Sequence, residues 1–263
     1  IVGWKPTARR VPIDGVLPLA PSLDSVGPLA PSAACCAAID AILAGGRPMV
    51  PAPAAMDGLR FAVPDNVVLD DMDAAVAAAF DRALSALSAA GARIARVRFP
   101  ELDELPAVNA KGGFAASEAY AWHRGLLAAK GNSYDPRIRA RIARGEGMSA
   151  ADYLDLLAAR AQLIASFDAR TAGFDALLMP TVPIAAPRIA DLDDERAYNR
   201  VNLLILRNTA LGNFMDRCAI SLPCHRAGEA PAGLMAMGEA MGDSRLFAIA
   251  QGIEAALAPA RAA

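Results

Sequence analysis

Residues 3–7, Gly-Trp-Lys-Pro-Thr, open a proline-rich stretch that closes with residues 22–30, Ser-Leu-Asp-Ser-Val-Gly-Pro-Leu-Ala. Its five prolines exclude a continuous helix, because each proline lacks a backbone N–H and fixes φ. Gly15 and Gly27 provide turns. A connection of this length without regular structure is uncommon inside a compact domain and is usually functional. We therefore expect a long, ordered, extended connection that ends where a helix begins.

The first helix is expected directly after this stretch. Ser32 can cap its N-terminus, and residues 33–44 carry the apolar spacing of a helix. The large apolar side chains Ile39, Ile42 and Leu43 fall on one face of this helix. The sequence therefore predicts a short amphipathic helix before a linker that is rich in proline and alanine.

A unit of strand, helix and strand follows the linker. Residues 59–63 are expected to form a short buried strand, and residues 93–99 form a second strand. Between them a helix begins at Asp70 or Asp71, with apolar residues spaced by four, four, four and three positions. This order predicts two parallel strands joined by a right-handed crossover.

The second half of the chain adds three strands and several helices. Residues 176–179 are expected to be a buried strand, whereas residues 218–222 and 232–237 flank a polar turn and are expected to pair as a hairpin. The chain is less regular from residue 101 until its next helix. The helices expected in this half are residues 118–129, a short helix from Asp135, residues 150–173, residues 199–214 and a last helix capped by Asp243.

About five strands therefore lie among six or seven helices, which predicts an α/β fold with a mixed β-sheet flanked by helices on both faces. The 263 residues suffice for one large domain or two small ones. Apolar residues make up 55% of the chain and charged residues 21%, a composition that excludes general disorder.

Charge and cysteine content exclude several classes of function. The net charge of −2 gives no reason to expect binding to nucleic acid, and no apolar run is long enough to predict a membrane span. The four cysteines form no Cys-x-x-Cys pair, and the chain has two histidines, so a zinc site is not expected. We expect reduced thiols in a cytoplasmic protein, with no cofactor.

No catalytic residue is predicted within the chain. A Ser-His-Asp site needs a histidine beside an exposed serine, and the sequence contains no Gly-x-Ser-x-Gly elbow. Cys224 and His225 are adjacent, but neighbouring side chains of an extended segment point to opposite faces. His123 lies on a predicted helix and has no nucleophile assigned to it.

Three ordered blocks of sequence resemble the amidase-signature hydrolases, which cleave amides with a Ser-Ser-Lys arrangement. The first block is residues 3–30, and the second is Asp-Ala-Leu-Leu-Met-Pro-Thr-Val-Pro at residues 175–183. The third is Ala-Ile-Ser-Leu-Pro-Cys at residues 219–224, with Pro-Ala-Gly-Leu-Met at residues 231–235. The blocks cover nearly the whole chain in the right order. The resemblance implies a large mixed sheet wrapped by helices, and hydrolysis of an amide bond.

In that family the catalytic lysine and both serines precede the first block, in a segment rich in glycine and serine. This sequence begins at Ile1, without such a segment. We therefore expect residues 1–263 to be the C-terminal part of one amidase-signature domain, inactive alone and dependent on the upstream half of the enzyme for a stable fold. The resemblance also implies a small-molecule amide substrate and is compatible with a homo-oligomer.

Four residues are candidates for substrate binding. Arg141, in the run Arg-Ile-x-x-Gly, resembles an arginine of the A-type chains of tRNA-dependent amidotransferases that holds the substrate carboxylate, a task suited to a guanidinium. Arg207, Asn208 and Thr209 precede the third block, in a neighbourhood that lines the substrate cleft of relatives. Solvated polar helix faces are the alternative explanation for all four residues.

Two charged residues of the first block are expected to support its structure rather than to catalyse. Lys5 would tie the loop to a carboxylate or a carbonyl oxygen, because the catalytic lysine of the family lies far upstream. Asp24 would accept hydrogen bonds from the backbone of its own loop. Neither residue is therefore assigned to acid–base chemistry.

Two other functions remain open. An A-type amidotransferase subunit of the same fold would need a nitrogen donor and partner proteins. A non-catalytic truncated module would serve as a scaffold or a partner subunit. The coding sequence upstream of Ile1 separates the amidase from the non-catalytic module, since an in-frame segment rich in glycine and serine indicates the amidase and a nearby start codon indicates the module.

Overall fold

A computed structural model of the protein describes residues 1–262, and seven strands in this part of the chain form one sheet. The strands are short, and each has two to five residues. Their bounds are β1 (Val2–Lys5), β2 (Leu29–Ala30), β3 (Arg60–Pro64), β4 (Arg93–Val97), β5 (Ala176–Pro180), β6 (Ala219–Pro223) and β7 (Gly233–Met237).

Eight α-helices in the described residues surround this sheet. None of them combines the length and the apolarity that crossing a lipid bilayer requires. Their bounds are α1 (Ala33–Leu43), α2 (Ala74–Ala89), α3 (Pro100–Val108), α4 (Gly113–Lys130), α5 (Pro136–Ala143), α6 (Ala150–Thr171), α7 (Glu195–Phe214) and α8 (Asp243–Ala262), with short 3₁₀ helices at Gly131–Ser133, Arg144–Gly147 and Ile189–Leu192.

The strand order β2-β1-β6-β7-β5-β3-β4 makes a mixed sheet, as the sequence predicts. β3 pairs in parallel with β4 and with β5, and every other pair is antiparallel. The strand–helix–strand unit of β3, α2 and β4 and the hairpin of β6 and β7 are both confirmed. The sheet places the ends of β5, β6 and β7 side by side near its centre.

Helices cover both faces of the sheet, and each face has its own apolar core. On one face α1, α2 and α8 pack over a core that includes Phe61 and Phe80. On the other face α3, α4, α6 and α7 pack over a core that includes Phe99, Phe114 and Phe167. The predicted fold class is therefore correct.

The opening stretch differs from the predicted continuous connection, because its two ends form strands. Val2 pairs with Ala30, and β1 also pairs with β6 through Trp4 and Ile220. Val2 and Trp4 are buried and alternate with less buried neighbours, which is the pattern of a strand. The prolines lie between or beside the strands, where no sheet hydrogen bond is lost.

Helix α1 turns its larger apolar side chains away from the sheet. Ile39 and Ile42 are 39% and 54% exposed, whereas Ala33 and Cys36 on the opposite side are completely buried. Small side chains let the helix approach β1, β2 and α8 closely. The sequence correctly predicts that Ile39 and Ile42 share one face of α1. The opposite face, with Ala33 and Cys36, is the one that packs on the core.

Several helix bounds also differ from those predicted. α3 lies in a region for which the sequence indicates no helix, and its first residue is Pro100, whose fixed φ suits that position. α2 begins at Ala74 rather than at Asp70 or Asp71. α7 begins four residues before the predicted start, because the Asp194 side chain accepts a hydrogen bond from its first turn.

Candidate functional site

The second and third family-like blocks meet on one face of the sheet. Thr181 follows β5 directly, Ser221 lies in β6, and their hydroxyl oxygens are 2.6 Å apart. Gly233 of β7 lies beside both, and a Cβ at this position would be 2.7 Å from each hydroxyl oxygen. Gly3 of the first block lies in β1 and pairs with Ser221 of the neighbouring strand β6. We call Thr181, Ser221 and Gly233 the hydroxyl patch.

The hydroxyl patch was missed by sequence reasoning, although both hydroxyl residues lie within the quoted blocks. Thr181 and Ser221 are both partly exposed, so their oxygens are not sealed in the core. Their contact depends on the antiparallel register of β6, β7 and β5. The signal in the sequence was a hydroxyl residue directly after the apolar run of β5 and another in the middle of the apolar run of β6.

Arg207 and Asn208 tie α7 to the end of β5 and to the loop after β3. Asn208 is completely buried, and its Nδ2 donates to the carbonyl oxygens of Val68 at 3.0 Å and Pro180 at 2.8 Å. Arg207 Nη2 donates to the carbonyl oxygens of Val68 and Asp70, and its Nε donates to Asn208 Oδ1. Burial lowers the pKa of Arg207 from its usual value. We call Arg207 and Asn208 the α7 clamp.

The other two predicted site residues are Thr209, which follows Asn208 in α7, and Arg141, which lies in α5. The Thr209 hydroxyl donates to the carbonyl oxygen of Leu206 in its own helix. The guanidinium carbon of Arg141 lies 5.5 Å from the ring centroid of Tyr198, near the start of α7. Tyr198 precedes Asn208 by ten residues, or about 15 Å along a helix axis. Arg141 is therefore separate from the α7 clamp, and substrate binding by all four residues stays a prediction.

An apolar cavity of about 650 Å³ lies between α7, α3, α4 and the loop of residues 19–25. Arg207 and Thr209 line it, together with leucine and phenylalanine side chains from these segments. Cavities of this size and composition are typical of small-molecule sites. The sequence does not reveal the cavity, because its walls come from segments that are distant in the chain.

Lys5 and Asp24 have the supporting contacts predicted for them. Lys5 Nζ donates to the carbonyl oxygens of Pro6 at 3.0 Å and Arg217 at 2.8 Å, and burial lowers its pKa from 10.5 to about 8. Asp24 accepts hydrogen bonds from the backbone N–H groups of Leu19 and Ala20. The first block is therefore held in place by its own charged side chains.

No disulfide joins the four cysteines in the part of the chain that the structure describes, and Cys36, Cys218 and Cys224 are buried. Burial raises the pKa of Cys36 to about 11 and that of Cys218 to about 12, which keeps these thiols protonated and unreactive. His225 Nδ1 lies 3.2 Å from the backbone nitrogen of Ala232, which donates to it. Within residues 1–262 no group of three or more potential ligands is placed to hold a metal ion.

Comparison with known proteins gives one consistent result. The family model described as Amidase matches residues 1–247. The chain is 37% identical over 259 residues to the 2-amino-5-chloromuconic acid deaminase of Comamonas testosteroni, and the match covers 97% of this chain and 56% of that protein. It is 27% identical to the A chain of the glutamyl-tRNA(Gln) amidotransferase of Pseudothermotoga lettingae, with 97% of this chain and 61% of that protein covered.

A solved structure described as a crystal structure of amidase superposes with a TM-score of 0.82 at 27% identity, and the match covers 97% of this chain and 58% of that one. The chain thus spans somewhat more than half the length of the relatives it matches. All the segments that form the hydroxyl patch and the α7 clamp lie inside the part that the family model covers.

Proposed function

The chain belongs to the amidase family, and from this premise we propose that it is part of an enzyme that hydrolyses a carbon–nitrogen bond of a small amide. The observation that supports this most strongly is the convergence of three distant sequence blocks on the hydroxyl patch. The relatives carry the names amidase and deaminase, and both names describe reactions at C–N bonds.

The reacting groups in this proposal lie outside residues 1–263. A serine attacks the amide carbonyl carbon, and its proton passes through a second serine to a neutral lysine. The C–N bond breaks as the nitrogen takes up that proton, and backbone N–H groups stabilise the oxyanion. Water then hydrolyses the ester. The length of the relatives supports this assignment, since the chain covers 56% of the deaminase.

This chain supplies part of the sheet and one wall of the substrate cleft. Asn208 positions that wall by holding the end of β5, and Arg207 and Thr209 border the apolar cavity. Arg141 binds a carboxylate of the substrate. The half-buried position of Arg141 supports its role in binding, and the hydrogen bonds of the α7 clamp support the role of Asn208.

The upstream half of the enzyme would pack against the side of the sheet that ends in β2. β2 is a terminal strand of the described sheet, and its Leu29 is 71% exposed. The neighbouring helix α1 exposes Ile42 as well. An unpaired strand edge beside apolar side chains favours association with further polypeptide. Four cysteines without a disulfide in the described residues support a reducing compartment, which for this enzyme we take to be the cytoplasm.

A second function, that of an A-type amidotransferase chain, is supported by the similarity to the Pseudothermotoga protein. Such a chain would pass ammonia to a second active site in a partner protein. The higher identity to the deaminase favours the stand-alone hydrolase. Release of free ammonia from an amide without any partner protein separates the two functions.

The test compares a protein that begins at Ile1 with one extended upstream through the segment rich in glycine and serine. The extended protein should hydrolyse a generic aryl amide, and replacement of its nucleophilic serine by alanine should abolish the activity. The shorter protein should be inactive. Activity of the shorter protein would place the catalytic groups within residues 1–263, and inactivity of the extended one on aryl amides and acidic amides alike would refute the proposal.

A further inference from the structure

Two arginines of α5 contact the same aromatic ring of α7. The guanidinium carbons of Arg137 and Arg141 lie 4.1 Å and 5.5 Å from the ring centroid of Tyr198. The two arginines are four residues apart, so that they share one face of α5. All three side chains are half-buried. We call Arg137 and Arg141 the arginine pair.

No described acceptor uses the N–H groups of these two guanidinium groups. Within residues 1–262, neither side chain donates a hydrogen bond, and no carboxylate oxygen lies within 4.0 Å of either. Other half-buried arginines differ from them. Arg160 donates to the carbonyl oxygens of Phe214 and Asn213, and Arg10 forms an ion pair with Asp40. The N–H donors of the arginine pair are therefore available to solvent or to a ligand.

The arrangement also has an electrostatic cost. Two like charges at positions i and i+4 destabilise a helix, and no acidic residue offsets them at ion-pair distance within the described residues. The cation–π contacts with the Tyr198 ring help to hold the two guanidinium groups in place. N–H donors of a guanidinium group that no protein acceptor uses can bind a planar carboxylate.

We propose that Arg137, Arg141 and Tyr198 form a subsite for a substrate with two carboxylates. The inference rests on the proposed function and deepens it, because it adds a second cation and an aromatic platform to Arg141 and so names the class of substrate. Two fixed positive charges beside one ring are balanced by a dianion, whereas a monocarboxylate would leave one of them without a partner. Since the ring already orders both side chains, binding loses little side-chain entropy.

The experiment measures ligand binding by calorimetry, so that it does not depend on turnover. The protein extended upstream of Ile1 is titrated with adipate, a six-carbon dicarboxylate, and with hexanoate, a monocarboxylate of the same chain length. Adipate should bind about tenfold or more tightly than hexanoate. Arg137→Gln and Arg141→Gln should each weaken adipate binding by about tenfold and remove most of this preference.

Two further variants separate the subsite from a general effect on the fold. Tyr198→Leu removes the aromatic platform and should weaken adipate binding, whereas Tyr198→Phe keeps the ring and should preserve it. Arg139→Gln is the matched control on the same helix, because the Arg139 guanidinium faces Gly131 and Asn132 instead. The thermal melting curve of each variant checks that the fold is retained.

The outcomes are distinguishable from those of the proposed function. If no amide is hydrolysed but adipate binds through the arginine pair, the hydrolase proposal fails and the binding of a dicarboxylate stands. If amides are hydrolysed and Arg137→Gln binds adipate as the parent protein does, the inference is overturned. Adipate that binds without competing with an aryl amide would also overturn the assignment to the substrate site.

Discussion

Near the C-terminal half of α7, Arg207 and Asn208 donate to backbone carbonyl oxygens that they hold in place. Near its N-terminal turn, Arg137 and Arg141 lie on Tyr198 with no acceptor among the described residues. Arginine thus serves two purposes at the two ends of α7, from within this helix at one end and from α5 at the other. A guanidinium whose donors are satisfied by the backbone stabilises the fold, and one whose donors are unused can bind a ligand.

Replacing Asn208 is expected to have the largest effect on stability. Asn208→Ala leaves the carbonyl oxygen of Pro180 without the donor of a fully buried side chain and Arg207 Nε without its acceptor, whereas Val68 keeps its hydrogen bond from Arg207. Because each unsatisfied buried group costs about 1–3 kcal/mol, we expect the free energy of unfolding in urea to fall by about 3 kcal/mol. Thr209→Ala removes a bond within one helix and should cost less than about 0.5 kcal/mol. Equal losses would mean that the α7 clamp does not stabilise the fold.

The hydroxyl patch is closely packed around Gly233, and Gly233→Ala should disrupt it. The added Cβ would lie 2.7 Å from both hydroxyl oxygens, so Thr181 and Ser221 must move apart. Overpacking of this kind costs about 1–3 kcal/mol, which thermal or chemical unfolding measures. Gly125→Ala in α4 meets no atom within 4 Å and should stabilise the protein by about 0.5 kcal/mol. Identical stability of the two variants would contradict this close packing around Gly233.

The buried amine of Lys5 should make the free energy of unfolding depend on pH. Its pKa is lowered from 10.5 to about 8 by burial, so the folded protein releases this proton at a lower pH than the unfolded chain does. The contribution of Lys5 to the free energy of unfolding therefore rises between these two values, by about 2 kcal/mol. Lys5→Met should lack that rise when both proteins are unfolded in urea at pH values of about 7 and about 10. Parallel pH profiles would show that the Lys5 amine is not desolvated.

The smallest effect on the free energy of unfolding is expected for Arg137, which contacts the N-terminal turn of α7. Arg137→Gln loses its contact with Tyr198 but relieves repulsion with Arg141, so the free energy of unfolding should change by less than about 0.5 kcal/mol in either direction. Arg207→Gln, the matched change in the α7 clamp, should lower the free energy of unfolding by more than about 1 kcal/mol. A similar loss at both arginines would remove the distinction between the two ends of the helix.

Local patterns in the sequence predict much of this fold. The helical period of α2 between two short apolar runs identifies the parallel unit, and two apolar runs around a polar turn identify the hairpin of β6 and β7. Ser32 caps its helix as predicted. Each of these features depends on residues that are close in the chain.

Features that depend on distant partners were missed. The pairing of β1 with β6 joins Lys5 to Ala219, and nothing in a four-residue strand indicates that neighbour. The face of α1 that packs is decided by how closely β1 and α8 approach it, so an apolar face alone does not identify the core side. The contact of Thr181 with Ser221 and the position of Tyr198 beside α5 also depend on residues that are distant in the chain. Sequence reasoning could name candidate residues but not bring them together.

The central claim is that this chain forms the wall of an amidase site whose nucleophile lies outside residues 1–263. The most direct measurement is labelling of the upstream-extended protein with a fluorophosphonate, which reacts covalently with activated serines, followed by mass spectrometry of its peptides. The account predicts a single labelled serine that precedes Ile1 and no label on Ser221 or Thr181. Labelling of Ser221, or of any other residue between Ile1 and Ala263, would contradict it.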